Sequence, residues 1–239
     1  MKELEKELDY SINPKLGFII RLDGKGFSKF TKKYFIKPYD YKLDEIFQEV
    51  TKKLISEFNV KLGYTQSDEI TLYFELNDSS NSYFNLRIQK LVSLIASKTT
   101  AFFILESLKK WFEKAIEESI PVFDARIFEI NTLEDLHKSF EFRYFDCLRN
   151  SRLNLSVFLP KKDRLNKSWL DIVKEVKELK QFDYFSLPLS YRKGTYFLKT
   201  KELKEFCYKE EKGLIERTIV KKINIENFPN LEEFNSLFL

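Results

Sequence analysis

The sequence has a single histidine, His137, and only two cysteines among its 239 residues. Zinc sites built from several histidines or from four cysteines are therefore excluded, as are H-E-x-x-H peptidases. A hydrolase of the Ser-His-Asp or Cys-His type would have to use His137, which the helical pattern around it instead predicts to be an exposed helix residue. If the chain is an enzyme, we expect its working groups to be carboxylates, lysines, arginines and hydroxyls, with any metal held by carboxylate oxygens.

The charge balance is nearly even, with 41 Lys and Arg residues against 37 Asp and Glu residues, and it does not identify a partner. Cys147 and Cys207 fit no metal or redox spacing, which favours reduced thiols. Residues 1–10 alternate lysine and glutamate without the apolar segment of a signal peptide. No uncharged apolar run approaches the roughly 18 residues of a membrane span. We therefore expect a soluble, cytoplasmic protein with no membrane partner.

The hydrophobic pattern predicts an α+β fold. A buried strand at 17–22 precedes a helix at 41–58, and a hairpin with strands at 60–64 and 70–74 follows. A long helical stretch at 83–118 then leads to a strand at 122–130. This order is the split βαβ arrangement of ferredoxin-like folds, in which helices cover one face of an antiparallel sheet.

The pattern loosens after residue 150. A capping box at Ser168 predicts a helix to about Lys180, and short strands are expected at 195–198 and 214–225. We predict a catalytic domain at 1–150 and an accessory, mixed C-terminal region at 151–239, with one continuous domain as the alternative.

Two turns that contain aspartates give the first indication of a binding site. The first predicted strand ends in Asp23-Gly24-Lys25-Gly26-Phe27-Ser28, where glycines allow backbone N–H groups to converge on an anion. In the split βαβ topology, Asp23 would lie beside Asp68 at the hairpin tip, and two such carboxylates repel unless a cation lies between them. Hard oxygen ligands favour Mg²⁺ bridging phosphate oxygens. A plain tight turn and a plain polar hairpin remain the alternatives.

Basic residues occur in several places. Residues 25–37 interleave five lysines with aromatic rings, which is typical of nucleic-acid binding and also of a solvated lysine face over core rings. Further positive charges lie at 149–167, at Arg87 and Lys90 on the long helix, and at Arg192 and Lys193 before a glycine turn. Each of these sets is compatible with phosphate binding and also with an ordinary surface, and for Arg87 and Lys90 the residues alone favour the ordinary surface.

Three segments in the same order resemble the tRNA(His) guanylyltransferase family, which includes guanylyltransferase-like RNA repair polymerases. They are Arg21-Leu22-Asp23-Gly24-Lys25-Gly26-Phe27, Lys37-Pro38-Tyr39-Asp40, and Gly63 to Glu69. The resemblance covers roughly residues 17–154, and a weaker similarity is present at 191–198. It implies that the ferredoxin-like unit is a polymerase palm and that the chain adds nucleotides to RNA 5′ ends, with tRNA and nucleoside triphosphates as partners. It also suggests a homotetramer.

The resemblance implies roles for individual residues. Asp23, Asp68 and the Gly24 carbonyl would hold two Mg²⁺ ions, Glu69 would be the acid beside them, and Lys37 would serve activation of the RNA 5′ end. ATP and GTP or other triphosphates would be the nucleotide substrates. The nucleotide site would comprise Asp23, Gly24, Lys25, Gly26, Phe27, Ser28, Ser67, Asp68, Arg87, Lys90, Asn150, Arg192 and Lys193.

The sequence also departs from the family pattern. The family's H-I-N-N-L-Y-N segment is Leu148 to Asn154 here, keeping Asn150 and Asn154, and the histidine usual after D-G-x-x-F is Ser28. These departures favour template-dependent repair of 5′-truncated tRNA over addition of one G to tRNA(His). A dedicated tRNA(His) guanylyltransferase and a non-catalytic tRNA-binding protein remain the alternatives.

Overall fold

The structure, a computed structural model, describes residues 9–76, 83–110, 112–164, 167–208 and 211–239. Its centre is a six-stranded antiparallel sheet. In sheet order the strands are β4 (Phe123–Ile130), β1 (Gly17–Gly24), β3 (Glu69–Glu75), β2 (Leu62–Gln66), β5 (Thr195–Tyr208) and β6 (Glu211–Ile223). The first four strands have the order β4-β1-β3-β2 of a ferredoxin-like palm, which confirms the predicted fold class.

Nine α-helices accompany the sheet in the described part of the chain. They are α1 (Phe27–Tyr34), α2 (Tyr41–Phe58), α3 (Ile88–Lys109), α4 (Glu113–Glu118), α5 (Leu133–Leu153), α6 (Lys161–Arg164), α7 (Trp169–Lys180), α8 (Leu189–Lys193) and α9 (Leu231–Phe238). Caps account for several boundaries. Asp40 caps α2 by accepting hydrogen bonds from two backbone amides of its first turn. The predicted capping box at Ser168 is confirmed by its reciprocal bonds with Asp171.

Both faces of the sheet are covered. The alternate residues Phe18, Ile20 and Leu22 of β1 point to one face and join the apolar cluster that includes side chains of α2 and α3. On the other face, Ile19 joins a second cluster with side chains of α5 and α9. The predicted palm helices α2 and α3 do share a face. The expectation that helices cover only one face is nevertheless wrong, because α5 and α9 also bury apolar residues against the sheet.

Some predicted boundaries also change. The long helical stretch predicted at 83–118 divides into α3 and α4. Helix α3 is long and apolar enough, by length and composition, to cross a membrane, although its residues Leu91, Ile95 and Phe103 belong to the core. The short strands predicted at 195–198 and 214–225 belong to the two arms of a long hairpin, β5 and β6, and β5 pairs with β2 over Thr195–Leu198. One sheet therefore extends across the predicted domain boundary, which remains a prediction.

Candidate active site

A cleft of about 450 Å³ opens where β1 and the β2–β3 hairpin end. Its walls come from α1, the loop before α2, the hairpin turn, the C-terminal half of α5 and the start of α8. The lining formed by the described residues is acidic, with six carboxylates and one lysine: Asp23, Asp40, Asp44, Asp68, Glu69, Asp146 and Lys37. An acidic cleft of this kind needs additional positive charge before it can accept a polyphosphate.

The sheet register brings the two predicted metal-binding aspartates together. Asp23 lies opposite Glu69, and the Gly24 amide donates a hydrogen bond of 3.2 Å to the Asp68 carbonyl. The surrounding protein and the neighbouring charge of Asp23 raise the pKa of the Asp68 carboxyl, while a hydrogen bond from Ser67 lowers it. Among the described residues, neither aspartate forms an ion pair with lysine or arginine. The pair is thus the part of the cleft best suited to hold a cation.

The glycine turn after β1 places the start of α1 beside these carboxylates. A Cβ on Gly24 would lie 2.2 Å from the Phe27 ring, so this position has no room for a larger residue. Gly26 has φ +71° and stands at the N-cap without a capping side chain. The first amides of an α-helix have no acceptor within the helix, and they carry partial positive charge. The start of α1, with Ser28 lining the cleft, therefore suits a phosphate group.

Lys37 is the cationic side chain of the cleft lining. Its ammonium donates a 2.8 Å hydrogen bond to the Thr31 hydroxyl on α1. Partial desolvation by the cleft walls lowers the pKa of Lys37, while the charges of Asp68 and Asp40 act in the opposite direction. Asp40 organises this loop, because its carboxylate accepts the Ile36 amide as well as two amides of α2. Lys37 therefore lies in the cleft wall, where its ammonium could form an ion pair with a phosphate that enters the cleft.

Glu69 is engaged by arginines. The Arg143 guanidinium on α5 donates to both carboxylate oxygens, at 3.0 and 2.8 Å, and Arg21 lies 3.7 Å away. These arginines oppose the rise in the pKa of Glu69 that burial causes. The predicted acid beside the metal aspartates is thus present in the cleft, but its charge is already compensated by Arg143.

The sequence did not identify a second polar cluster at the cleft wall. Asp44 accepts hydrogen bonds from Gln48 at 2.8 Å, from Tyr39 at 3.2 Å and from Ser190 on α8 at 2.8 Å. Burial raises the pKa of the Asp44 carboxyl, and these donors lower it. The cluster ties α8 to the Lys37 loop. No local signal could have predicted it, because Ser190 is distant in sequence from the other three residues.

Several predicted nucleotide contacts lie outside the cleft. The Lys25 side chain is exposed, and its amide donates to Val122. The Phe27 ring is buried among core aromatic rings, so only its backbone can serve a nucleotide. Phe30 and Phe35 are also buried, so of the two alternatives for 25–37 these three rings fit core rings beneath a lysine face. They lie on the apolar side of α1 and the residue after it.

Arg87 and Lys90 lie far from the carboxylate pair. The register pairs Gly17, at the start of β1, with Glu75, and the Ile12 amide donates to Leu86 near that end of the sheet. Arg87 forms an ion pair with Asp9 there, and Asp23 is at the opposite end of β1. Within the described chain these two cations are therefore not brought to the cleft.

Of the C-terminal predicted residues, Asn150 lines the cleft and donates to Asp146 at 3.1 Å. The cations Arg192 and Lys193 follow the cleft residues Ser190 and Tyr191 but are engaged elsewhere. Arg192 donates to the Leu187 carbonyl at 3.0 Å, and Lys193 pairs with Glu226 at 3.1 Å.

His137 lies away from the cleft. Its Nε2 is 2.9 Å from the Pro229 carbonyl, and its ring packs against Phe228 and Phe234. It is half-buried, so the prediction of an exposed helix residue is wrong, because the loop before α9 and α9 itself cover this side of α5.

A ferredoxin-like palm with paired aspartates at the ends of its central strands defines the class: a nucleotidyltransferase of polymerase-like fold. Comparison with known proteins specifies the family. The tRNAHis guanylyltransferase family matches residues 1–131. The chain therefore belongs to this family of nucleotidyltransferases.

Relatives in the family are similar over much of the chain. A tRNA(His) guanylyltransferase of Debaryomyces hansenii is 34% identical over 66% of this chain and 59% of its own length. An uncharacterised protein of Acanthamoeba polyphaga mimivirus is 31% identical over 83% of this chain and 75% of its own. The structure of a bacterial tRNA(His) guanylyltransferase-like protein in complex with ATP has a TM-score of 0.74 at 25% identity, covering 90% of each chain. A GTP complex of such a protein has a TM-score of 0.71 at 25% identity, covering 100% of this chain and 94% of its own.

Proposed function

We propose that this protein adds nucleotides in the 3′-to-5′ direction to the 5′ end of tRNA and repairs 5′-truncated tRNA against a template. The observation that carries the proposal is the arrangement of Asp23, Asp68 and Lys37 around one cleft beside the start of α1. Family membership and the ATP and GTP complexes of similar structures support nucleoside triphosphates as substrates.

We propose Mg²⁺ as the cofactor, in two sites, with Asp23, Asp68 and the Gly24 carbonyl as protein ligands. The fit rests on the donor set: two adjacent carboxylates that form no ion pair with a described lysine or arginine, of which Asp68 has a pKa raised by burial and, to a lesser extent, by the charge of Asp23. Among the described residues no group of three or more His, Cys, Asp or Glu side chains surrounds a common point. A site with two carboxylates is typical of Mg²⁺, which usually binds one or two carboxylates and takes substrate phosphates and waters as its other ligands. Bound Mg²⁺ would supply positive charge to the transferring phosphate and lower the pKa of an attacking hydroxyl.

The proposed reaction has two nucleotidyl transfers. An oxygen of the RNA 5′-monophosphate attacks the α-phosphorus of ATP, and pyrophosphate leaves. The 3′-hydroxyl of an incoming nucleoside triphosphate then attacks the RNA 5′-phosphorus, loses its proton and expels AMP. An RNA that already carries a 5′-triphosphate skips the first transfer and undergoes only the second, with pyrophosphate in place of AMP as the leaving group. The amides at the start of α1 and the Lys37 ammonium stabilise charge on phosphate oxygens in these transfers.

The substitution Lys37→Ala tests the assignment of Lys37. Loss of its ammonium should lower nucleotide addition to 5′-monophosphorylated tRNA by at least about tenfold more than addition to 5′-triphosphorylated tRNA, because only the former needs activation. Lys32→Ala is the matched control, since Lys32 is an exposed lysine on α1 that does not line the cleft. Single-turnover rates on the two RNAs give the comparison. An equal loss on both substrates would contradict a role in activation.

A dedicated tRNA(His) guanylyltransferase is the second candidate, favoured by the matching relatives of that name. The absence of the family histidines at Ser28 and Leu148 favours repair instead. A non-catalytic tRNA-binding protein is a weaker candidate, because pure binding gives no reason to hold two repelling carboxylates together. We also propose a homotetramer, on the resemblance alone, and a cytoplasmic location, on the cysteine usage and the composition of residues 1–10.

A further inference from the structure

A second groove lies on the other side of helix α5 from the carboxylate cleft. It has a volume of about 310 Å³, and Leu153 lines both spaces, so the two adjoin at this side chain. One wall is the end of α5, and the other comes from the segment before α6, from α6 and from the start of α7. The lining residues are Phe145, Leu148, Arg149, Arg152, Leu153, Ser156, Arg164, Trp169 and Ile172.

The charge of this groove is opposite to that of the cleft. Three arginines line it, and its described lining contains no carboxylate. Arg149 pairs with Asp146, whose carboxylate belongs to the cleft. Arg164 uses its Nε for the Leu159 carbonyl at 3.1 Å, and among the described residues its terminal nitrogens are left for another acceptor. The groove therefore suits a ligand with negative charge.

Arg152 and Trp169 form a stack in the groove. The Arg152 guanidinium carbon lies 3.8 Å from the centre of the Trp169 ring, a cation–π contact. Within the part of the chain that the structure describes, the buried Nε of Arg152 has no hydrogen-bond partner. Phe145 and Leu153 add apolar surface and are 52% and 57% exposed. A flat group that carries acceptors would satisfy the arginine and cover this surface.

We propose that the groove binds an unpaired nucleotide of the RNA substrate, with its base against the Arg152–Trp169 stack and its phosphates at Arg149 and Arg164. Flat bases that pack on aromatic rings or on guanidinium planes, with arginines on the phosphates, are the usual means of holding single-stranded RNA. Because the groove adjoins the cleft at Leu153, we expect the unpaired nucleotide to belong to the 3′ strand, opposite the 5′ end that reacts at Asp23 and Asp68. This inference rests on the proposed function, because the RNA that the groove would hold is the substrate of that site.

The two tryptophans of the chain allow a direct test. In a Trp111→Phe protein, Trp169 is the sole tryptophan, and a base that joins its stack should change its fluorescence. The probe is a 5′-monophosphorylated tRNA acceptor-stem hairpin that lacks its first 5′ nucleotide, compared with a blunt duplex of equal length. We expect a saturable change in emission with the hairpin, at the same midpoint as binding measured by fluorescence anisotropy of labelled RNA.

Substitutions of Arg152 complete the test. Arg152→Ala should weaken binding of the hairpin by about tenfold, which is within the range for loss of one stacking contact, and Arg152→Lys should restore only part of it. Lys138→Ala is the control, because it removes one exposed positive charge from the other end of α5. Thermal denaturation of each variant shows whether the fold is kept.

The outcomes separate the groove from the proposed function. Hairpin binding with unchanged Trp169 emission and unchanged affinity in Arg152→Ala would overturn the groove and leave the function standing. A Trp169 response without nucleotide addition would support the groove and overturn the function. An equal response to the blunt duplex, or saturation by ATP alone at similar concentration, would overturn the assignment to unpaired RNA. No binding of any RNA would overturn both.

Discussion

The contact between Glu69 and Arg143 gives a sharp test of how the site is built. Arg143→Met removes the guanidinium that donates to both Glu69 oxygens and leaves the carboxylate without its main partner. The two side chains are 13% and 15% exposed, so water screens the pair little. Removal of one member of a buried ion pair costs about 3–5 kcal/mol. Because Arg21 remains 3.7 Å from Glu69, we expect the free energy of unfolding to fall by about 3 kcal/mol, at the lower end of this range.

Urea denaturation at neutral pH measures this free energy of unfolding. Arg126→Met is the matched control: Arg126 is 64% exposed and lies 3.8 Å from Asp124, so its loss should cost at most about 0.5 kcal/mol. The double variant Arg143→Met/Glu69→Gln should recover at least about half of the Arg143→Met loss, since no unpaired charge remains. The reasoning is refuted if Arg143→Met costs no more than Arg126→Met, or if the double variant is the less stable of the two.

Two further expectations concern stability. Gly194→Ala would place a Cβ 2.2 Å from the Tyr64 hydroxyl at φ +77°, whereas the Cβ of Gly26→Ala at φ +71° would meet no described atom within 4 Å. Thermal denaturation should therefore show a loss of stability of about 1 kcal/mol for Gly26→Ala and at least about twice that for Gly194→Ala. Equal losses would contradict the packing around Gly194. Burial raises the pKa of the Cys147 thiol from 9.0 to about 12. The stability that this raised pKa gives the folded state is fully present below pH 9 and is lost toward pH 12, because the thiol of the unfolded chain ionises at lower pH than the buried thiol. Urea midpoints should fall from pH 8 to pH 10, less steeply in Cys147→Ala, and an identical pH dependence would contradict the assignment.

Much of the palm could be predicted from the sequence, because its helices and strands are set by patterns of residues that are close together in the chain. Apolar periodicity located α2 to the residue, and the order of elements predicted the β4-β1-β3-β2 arrangement that brings Asp23 beside Asp68. The paired turns and their glycines could therefore be assigned to one site before any coordinates, whereas the assignment of Lys37 to this site came from the family resemblance.

The remaining features depend on contacts between distant segments. The ion pair of Arg143 with Glu69 joins residues 74 positions apart, and no local pattern signals it. The same holds for the Asp44 cluster and for the second apolar face, which depends on α9 at the end of the chain. The prediction for Phe27 could have been improved, since Phe27, Phe30 and Thr31 have the i, i+3, i+4 spacing of a buried helix face.

The central claim is that Asp23 and Asp68 form a centre that adds nucleotides to the 5′ ends of truncated tRNAs. The most direct measurement incubates wild-type protein and Asp68→Asn with Mg²⁺, ATP, nucleoside triphosphates and a panel of 5′-truncated tRNAs that includes tRNA(His). We predict that the wild type adds nucleotides complementary to the template strand of several tRNAs and that Asp68→Asn is slower by at least about a hundredfold. Full activity in Asp68→Asn would contradict the site, and addition of a single G to tRNA(His) alone would contradict the repair function.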